Sequence, residues 1–436
     1  MTKLTQAEFA RNGIITAQME YVARRENVSP ETIRRAIAEG TMVILANNSR
    51  PNVDPVAIGK GIRTKVNASV GSSPDLMESE GELDKLRAAE KAGADTIMDL
   101  SSGGDIDGFL RRTLASTRLP VGTVPLYQVA KEAIERYGSV VALTEEDIFT
   151  AIEKHAEAGV DFMALHCALN MDVIERLRRQ GRVTDIVSRG GAFMTGWMLH
   201  HGKENPLYAR FDRVLEIAKR YDITLSIGDA IRPGAIADSL DRAQIQGLIL
   251  VGELVQRALE AGVQVMVEGP GHVPAHHIAT TIQMQKQLCH QVPYFVLGTL
   301  VTDIAAGYDH ISSAIGATMA TMAGADFICY VTPAEHLRLP TAEDVHQGVI
   351  AARIATHAGD IAKGIPGAAE WDLEMSRARK ALDWRRQIEL SIDPEHARQV
   401  RSARNADDAP ACSMCGELCA MKVVSQYLGS DAVEGC

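Results

Sequence analysis

The chain has 436 residues, 46% of them hydrophobic, with a mean hydropathy near zero. That is enough to bury a large core and more than one minimal domain needs. Its net charge of −11 and pI of about 5.7 exclude non-specific nucleic-acid binding, which needs a basic face to neutralise phosphates.

Residues 1–60 read as a mainly helical segment. Helix-period patterns run over Thr5–Val28 and Pro30–Glu39, and the turn-rich NNSRPNVDP (Asn47–Pro55) reads as a connection. The opening MTKLTQAEFARNGIITAQ lacks the apolar core of a signal peptide. Apolar runs such as Gln246–Leu254 stop well short of the ~18 residues of a membrane span. No membrane partner is expected, and the location expected is cytoplasmic.

From 61 to 340 short apolar or β-branched runs alternate with helix-patterned stretches. The strand-like runs are Thr64–Val70, Asp95–Leu100, Val121–Leu126, Asp161–His166, Asp185–Ser188, Thr224–Ile227, Gln264–Val267, Phe295–Leu300 and Asp326–Val331. Between them Thr144–Ala158 and Asp238–Glu260 read as helices. Several helices reach the next strand through a Gly turn, as in Lys91-Ala-Gly-Ala-Asp95 and Met322-Ala-Gly-Ala-Asp326. Gly just past a helix end caps it in a left-handed conformation without strain.

Such βα alternation predicts an α/β fold, either a barrel or a doubly wound sheet. No GxGxxG follows a first strand, and polar residues end many strands. Both facts favour a (βα)8 TIM-like barrel over 61–340. Nine candidates for eight places leave one strand outside the barrel or paired at its mouth. Residues 341–400 read as a charged helical segment, and 401–436 as a flexible linker followed by a cysteine tail.

Barrel chemistry sits at the C-terminal strand ends. Read in order, these offer Asn67, Met98-Asp99, Tyr127, His166, Ser188-Arg189-Gly190-Gly191, Asp229 with Arg232, Glu268 with His272, Asp303 and His336. Ser188 to Gly191 combine a hydroxyl, a guanidinium and two glycines whose N–H groups can approach a phosphate. Asp229 and Arg232 flank a rigid turn, where an internal salt bridge is the plainer reading. Two histidines from neighbouring strands, His272 and His336, could hold a divalent ion.

Of the seven cysteines, Cys167, Cys289 and Cys329 read as buried structural thiols. Cys412, Cys415, Cys419 and Cys436 fall in the tail. Cys412, Cys415 and Cys419 form C-x2-C-x3-C, which suits three corners of a [4Fe–4S] cluster with the fourth iron open to S-adenosylmethionine (SAM). A zinc knuckle completed by Cys436 or a histidine is the alternative.

The stretches TKVNASVG, DTIMDLSSGGD, GTVPLYQ, GVDFMALHC, IVSRGGAFM, GDAIRPGAIAD, GVQVMVEGPGHVP, TDIAAGYDHI, CYVTPAEHL and CSMCGELCAMK resemble the phosphomethylpyrimidine synthase family of thiamin biosynthesis, in its short form. The resemblance covers nearly the whole chain. It implies a radical-SAM barrel enzyme acting on aminoimidazole ribotide, served by an external flavodoxin- or ferredoxin-like electron donor. It also implies a homodimer with exchanged cluster tails.

The substrate contacts it implies are Asn67, Met98, Tyr127, His166, Ser188, Arg189, Gly190, Asp229, Arg232 and Glu268, with Phe295 at a contact position. Glu268, Asp229 and Tyr127 would be the catalytic groups. His272 and His336 would hold zinc or another divalent metal, and Cys412, Cys415 and Cys419 the [4Fe–4S] cluster.

The chain departs from that family's pattern. It has Ser69-Val70 within NANIG, Ala230 within DGLRPG, Tyr294-Phe295 and Thr299 within PFYVLGPL, Ala306 within DIAPGYDH, and Ala168-Leu169 within HCGV. These changes gather at the expected barrel mouth. They point to the paralogous 5-hydroxybenzimidazole synthase, which rearranges the same ribotide into the lower-ligand precursor of anaerobic cobamides, releasing 5′-deoxyadenosine, methionine and formate. Phosphomethylpyrimidine synthase itself, and a non-catalytic ribotide binder with a zinc knuckle, stay open at this stage.

Overall fold

A computed structural model describes residues 4–75, 79–404 and 412–428. They fall into two compact units, 1–363 and 364–436. The first unit opens with helices Gln6–Arg11, Ala17–Arg25 and Pro30–Ala38. The expected helix over Thr5–Val28 is broken, because Gly13 takes φ 77°, a left-handed value that ends the first helix. A missed feature follows: β1 (Met42–Leu45) and β2 (Val56–Gly59) pair antiparallel, and the turn-rich run Asn47–Pro55 is the loop between them. Four-residue strands are too short to show a clear period in the sequence.

Eight strands then close a parallel barrel: β3 (Lys65–Val70), β4 (Thr96–Asp99), β5 (Val121–Thr123), β6 (Phe162–Leu165), β7 (Thr224–Ile227), β8 (Val265–Glu268), β9 (Tyr294–Val296) and β10 (Phe327–Cys329). β10 returns to pair with β3. The ninth candidate, Asp185–Ser188, is not a strand. It is an irregular lead-in to the helix Arg189–His201, with Asp185 at φ 48° and Ser188 as the N-cap. It therefore makes no ladder hydrogen bonds.

The repeated Ala-Gly-x-Asp turns explain how the N-terminal end of the barrel is held. Gly93, Gly159 and Gly324 all take left-handed φ values. Each following aspartate then accepts the backbone N–H of a neighbouring strand: Asp95 from Val66 (2.8 Å), Asp161 from Val121 (2.8 Å) and Asp326 from Tyr294 (2.9 Å). Each also meets a cation, Arg63, Arg50 and Lys286 respectively. Arg50 further donates to the carbonyls of Leu119 and Thr117. Asn47 donates its N–H to Asp161, and Gln264 exchanges two hydrogen bonds with Ile44. The β1–β2 hairpin is thus stapled beneath the barrel.

Inside, Phe327 stacks on Phe295 with centroids 4.1 Å apart and meets Phe162 edge-on at 6.2 Å. Gly122 makes room, since a Cβ there would stand 2.3 Å from the Phe162 ring. Burying each such ring stabilises the fold by about 1.5–3 kcal/mol. This aromatic plug is the floor on which the polar strand ends stand. The helix Ala342–Lys363 packs outside the barrel against Asp309–Ala323 and Ser79–Ala92, so part of the charged run 341–400 belongs to this unit.

The second unit contains helices Ala368–Lys380, Trp384–Leu390 and Pro394–Ser402, a short turn Gly416–Leu418 and the helix Ala420–Leu428. Trp371 donates to the Leu390 carbonyl at 2.8 Å, and the Arg401 guanidinium lies 3.9 Å above the Trp384 ring. Most of the expected linker and Cys436 lie outside the described residues. No helix among the described residues is long and apolar enough to cross a membrane.

Candidate active site

The C-terminal strand ends open on a cavity of about 470 Å³ whose lining includes Ser69, Arg189, Arg232, Cys329, Glu335 and His336. Beside it lies a second cavity of about 710 Å³, lined by Tyr127, Phe193 and others and sharing Ser73, Ser102 and Arg189 with the first.

The helix Arg189–His201 presents Arg189 because Ser188 caps it, its hydroxyl accepting from Gly191 N–H at 3.2 Å. This revises the expected use of the two glycines. The Gly191 N–H is taken by Ser188. A Cβ at Gly191 would stand 1.9 Å from the Ala230 carbonyl, and one at Gly190 2.3 Å from His166 Nδ1. The glycines are there for close packing. The N–H groups of Arg189 and Gly190, at the first two helical positions, have no intrahelical acceptor by helix geometry and still suit an anion.

His166, immediately after β6, is 3% exposed, and its Nδ1 has no protein partner among the described residues. Burial, with Arg232 adding to it, pushes its pKa down to about 3, so the ring is neutral. Burial pushes Asp229 up to about 6, against the pull of Arg232 and Arg182, and raises Glu268 against Arg232. Gly228 brings these groups together: a Cβ there would lie 3.0 Å from Glu268 Oε2 and 3.3 Å from His166 Nε2. Arg232 and Asp229 do not form the internal ion pair expected as the plainer reading. The Arg189 guanidinium lies 4.7 Å from the Tyr127 ring centre, and burial raises the Tyr127 phenol. Two weak acids held toward their neutral forms beside two guanidiniums form a set able to move protons on a charged, polar ligand.

Of the expected contacts, only Tyr127, Arg189 and Arg232 line these two cavities. Asn67 is fully buried. Its carbonyl accepts from Thr96 at 2.7 Å and its amide donates to Cys329 Sγ at 3.5 Å. Ser188 and Phe295 are also fully buried, and Met98 is 3% exposed. These residues form the layer beneath the cavity. Cys329, read from the sequence as a structural thiol, instead ends β10 at the mouth with its thiol raised to about 11 by burial. The strand-end rule applied to Asp326–Val331 would have found it. Thr299 is buried with φ 52°, a value closed to the proline of the family pattern and strained for a β-branched residue. Its hydroxyl has no partner among the described residues.

His272 and His336 do converge, with ring centroids 5.3 Å apart. His272 Nδ1 donates to Asp303 at 2.9 Å and His336 Nδ1 to Asp309 at 3.3 Å. A carboxylate on Nδ1 leaves the Nε2 lone pair free, the arrangement of metal-binding histidines. Asp303 was legible as a strand-end residue, whereas Asp309 was not. Among the described residues no group of three or more His, Cys, Asp or Glu side chains is placed to hold a metal.

In comparison with known proteins, residues 5–426 match the model of the Radical SAM ThiC family. This chain belongs to that family. A phosphomethylpyrimidine synthase of Moorella thermoacetica is 60% identical over 98% of this chain and 99% of its own length. The 5-hydroxybenzimidazole synthases BzaB and BzaA of the same organism are 59% and 56% identical, over 98% and 97% of this chain and 100% and 98% of theirs. Identity therefore does not separate the family's products.

Members are radical SAM enzymes, so this chain uses SAM and an iron–sulfur cluster. The tail donors fit that group. Cys412, Cys415 and Cys419 lie on one short run of turns, in which Gly416 N–H donates to the Cys412 carbonyl and Leu418 N–H to that of Cys415. None of the three is buried, as ligands that must accept a cluster require. Cysteine thiolates are the donors that hold iron–sulfur clusters.

Proposed function

We propose that this enzyme converts aminoimidazole ribotide to 5-hydroxybenzimidazole. The observation that carries this reading is the wall beside the Glu268 carboxyl. Its register partner on β9 is Phe295, a fully buried ring stacked on Phe327 and carrying no hydroxyl. A phenyl in this layer, where the family pattern has tyrosine, removes a hydroxyl from the strand position beside Glu268 and so alters how a rearranging intermediate is held. The second reading, phosphomethylpyrimidine synthase acting on the same ribotide, holds if substitutions such as Thr299 and Ala306 leave the product unchanged.

The chain's own residues divide the work. Arg189, with the first N–H groups of its helix, anchors the phosphate, Ser188 setting the helix start. Neutral His166 orients the ribotide, and Asn67 holds Thr96 and Cys329 in place beneath it. Asp229 and Glu268, whose proton affinity burial raises, give and take protons at the imidazole and at the fragmenting ribose. Tyr127 and Met98 shield the site from water. When bound, the cluster on Cys412, Cys415 and Cys419 supplies the electron that splits SAM and starts hydrogen abstraction. His272 and His336 hold a divalent ion, zinc in the first instance. A flavodoxin- or ferredoxin-like protein delivers the electron, and a homodimer exchanges the tails.

The test is anaerobic turnover of the reconstituted protein with aminoimidazole ribotide, SAM and a strong reductant, followed by mass analysis. 5-Hydroxybenzimidazole is expected. Hydroxymethylpyrimidine phosphate would overturn the product assignment in favour of the second reading. Ribotide binding without any SAM cleavage would overturn both.

A further inference from the structure

The helix Pro125–Tyr137 carries Tyr127 in its first turn, yet it starts on Val124, whose side chain makes no capping hydrogen bond. An uncapped helix start frays unless something else holds it. Here the hold is lateral. Gln128, the residue after Tyr127, is buried, and its Nε2 donates to Asp107 at 3.0 Å and Glu132 at 2.8 Å. The Gln128 Oε1 accepts from His155 Nε2 at 2.8 Å. On its other side, His155 Nδ1 accepts from the Thr123 hydroxyl at 2.8 Å.

Thr123 is the last residue of β5, so His155 ties the strand end to the helix start across Val124. An amide oxygen can only accept, so Nε2 carries the proton and a single neutral tautomer is fixed. Burial pushes the imidazole down to about 4, which keeps it neutral at working pH. His155 is 3% exposed and touches neither cavity. None of the roles assigned above uses it.

We propose that His155 is a positioning residue, whose two hydrogen bonds fix the corner after β5 so that Tyr127 stays packed under Arg189 at the ribotide site. The inference rests on the reading of Tyr127 as a ribotide contact. It predicts that His155 matters to binding only through Tyr127, which a purely structural residue would not.

The experiment is a double-mutant cycle on the cluster-reconstituted, full-length protein, with aminoimidazole ribotide as the titrant and Kd as the readout. In the wild-type background His155→Leu is expected to weaken binding about ten-fold, and the gentler Thr123→Val similarly, while Thr123→Ser, which keeps the hydroxyl, stays within about two-fold. In a Tyr127→Ala background His155→Leu and Thr123→Val add less than about two-fold. Should His155→Leu prove poorly folded, the threonine pair carries the test alone. Unchanged Kd in the wild-type background, or the full loss repeated in the Tyr127→Ala background, overturns the inference. If Tyr127→Ala itself binds the ribotide as tightly as wild type, the reading of Tyr127 as a contact is what fails.

Discussion

Gly190 and His166 are packed so closely that a single methyl on Gly190 would stand 2.3 Å from the imidazole Nδ1. The contact sets the helix Arg189–His201 against the end of β6, and so sets Arg189 relative to His166. Gly190→Ala must push one of them aside. Overpacking of this kind costs about 1–3 kcal/mol, so a lowered melting temperature is expected together with at least ten-fold weaker ribotide binding. Thermal denaturation and titration calorimetry read the two effects. A normal Kd in a folded Gly190→Ala protein would remove the phosphate anchor from this helix start.

Asp229 gives a pH prediction. Its folded carboxyl titrates near 6, above the ordinary 3.8, chiefly because it is buried. Between those values the folded chain holds a proton that the unfolded chain has released. The group therefore costs nothing below about pH 4, and its full penalty is present above about pH 6. Asp229→Asn removes that penalty. Denaturant melts should show a gain of up to about 3 kcal/mol at pH 7.5 and none at pH 4. Turnover should fall by about two orders of magnitude, and the acidic limb of kcat/KM near pH 6 should flatten. An unchanged limb would assign it to another group, Glu268 first.

The histidine pair predicts a graded loss of metal. His272→Ala or His336→Ala should abolish retention of a divalent ion after dialysis, read by mass spectrometry of the metal. Asp303→Asn and Asp309→Asn should weaken it about 10- to 100-fold, because each carboxylate orients a histidine without touching the ion. Equal losses for the aspartate and histidine variants would mean that the carboxylates are themselves ligands.

The tail predicts colour. Anaerobically reconstituted protein should be brown, and alanine at Cys412, Cys415 or Cys419 should bleach it and stop SAM cleavage. A colourless wild-type protein carrying zinc would identify a knuckle instead, since the filled d shell of zinc absorbs no visible light.

What the sequence determined by itself was the periodic part. Repeated Ala-Gly-x-Asp turns and β-branched runs at regular spacing announce βα units, because left-handed caps and strand periodicity are local properties of the chain. The strand-end rule then placed His166, Asp229, Arg232 and Glu268 at one mouth, and the cysteine spacing marked the tail. Only the tertiary structure decided which residues share a surface. It buried Asn67 and Phe295 beneath the cavity, brought Cys329 to its edge, turned Asp185–Ser188 from strand to lead-in, and paired Asp309 with His336. Each of those outcomes depends on a neighbour distant in the sequence: Asn67 meets Thr96 and Cys329, and Gly190 meets His166. Contacts of that kind are set by strand register and packing, which no window along the chain contains.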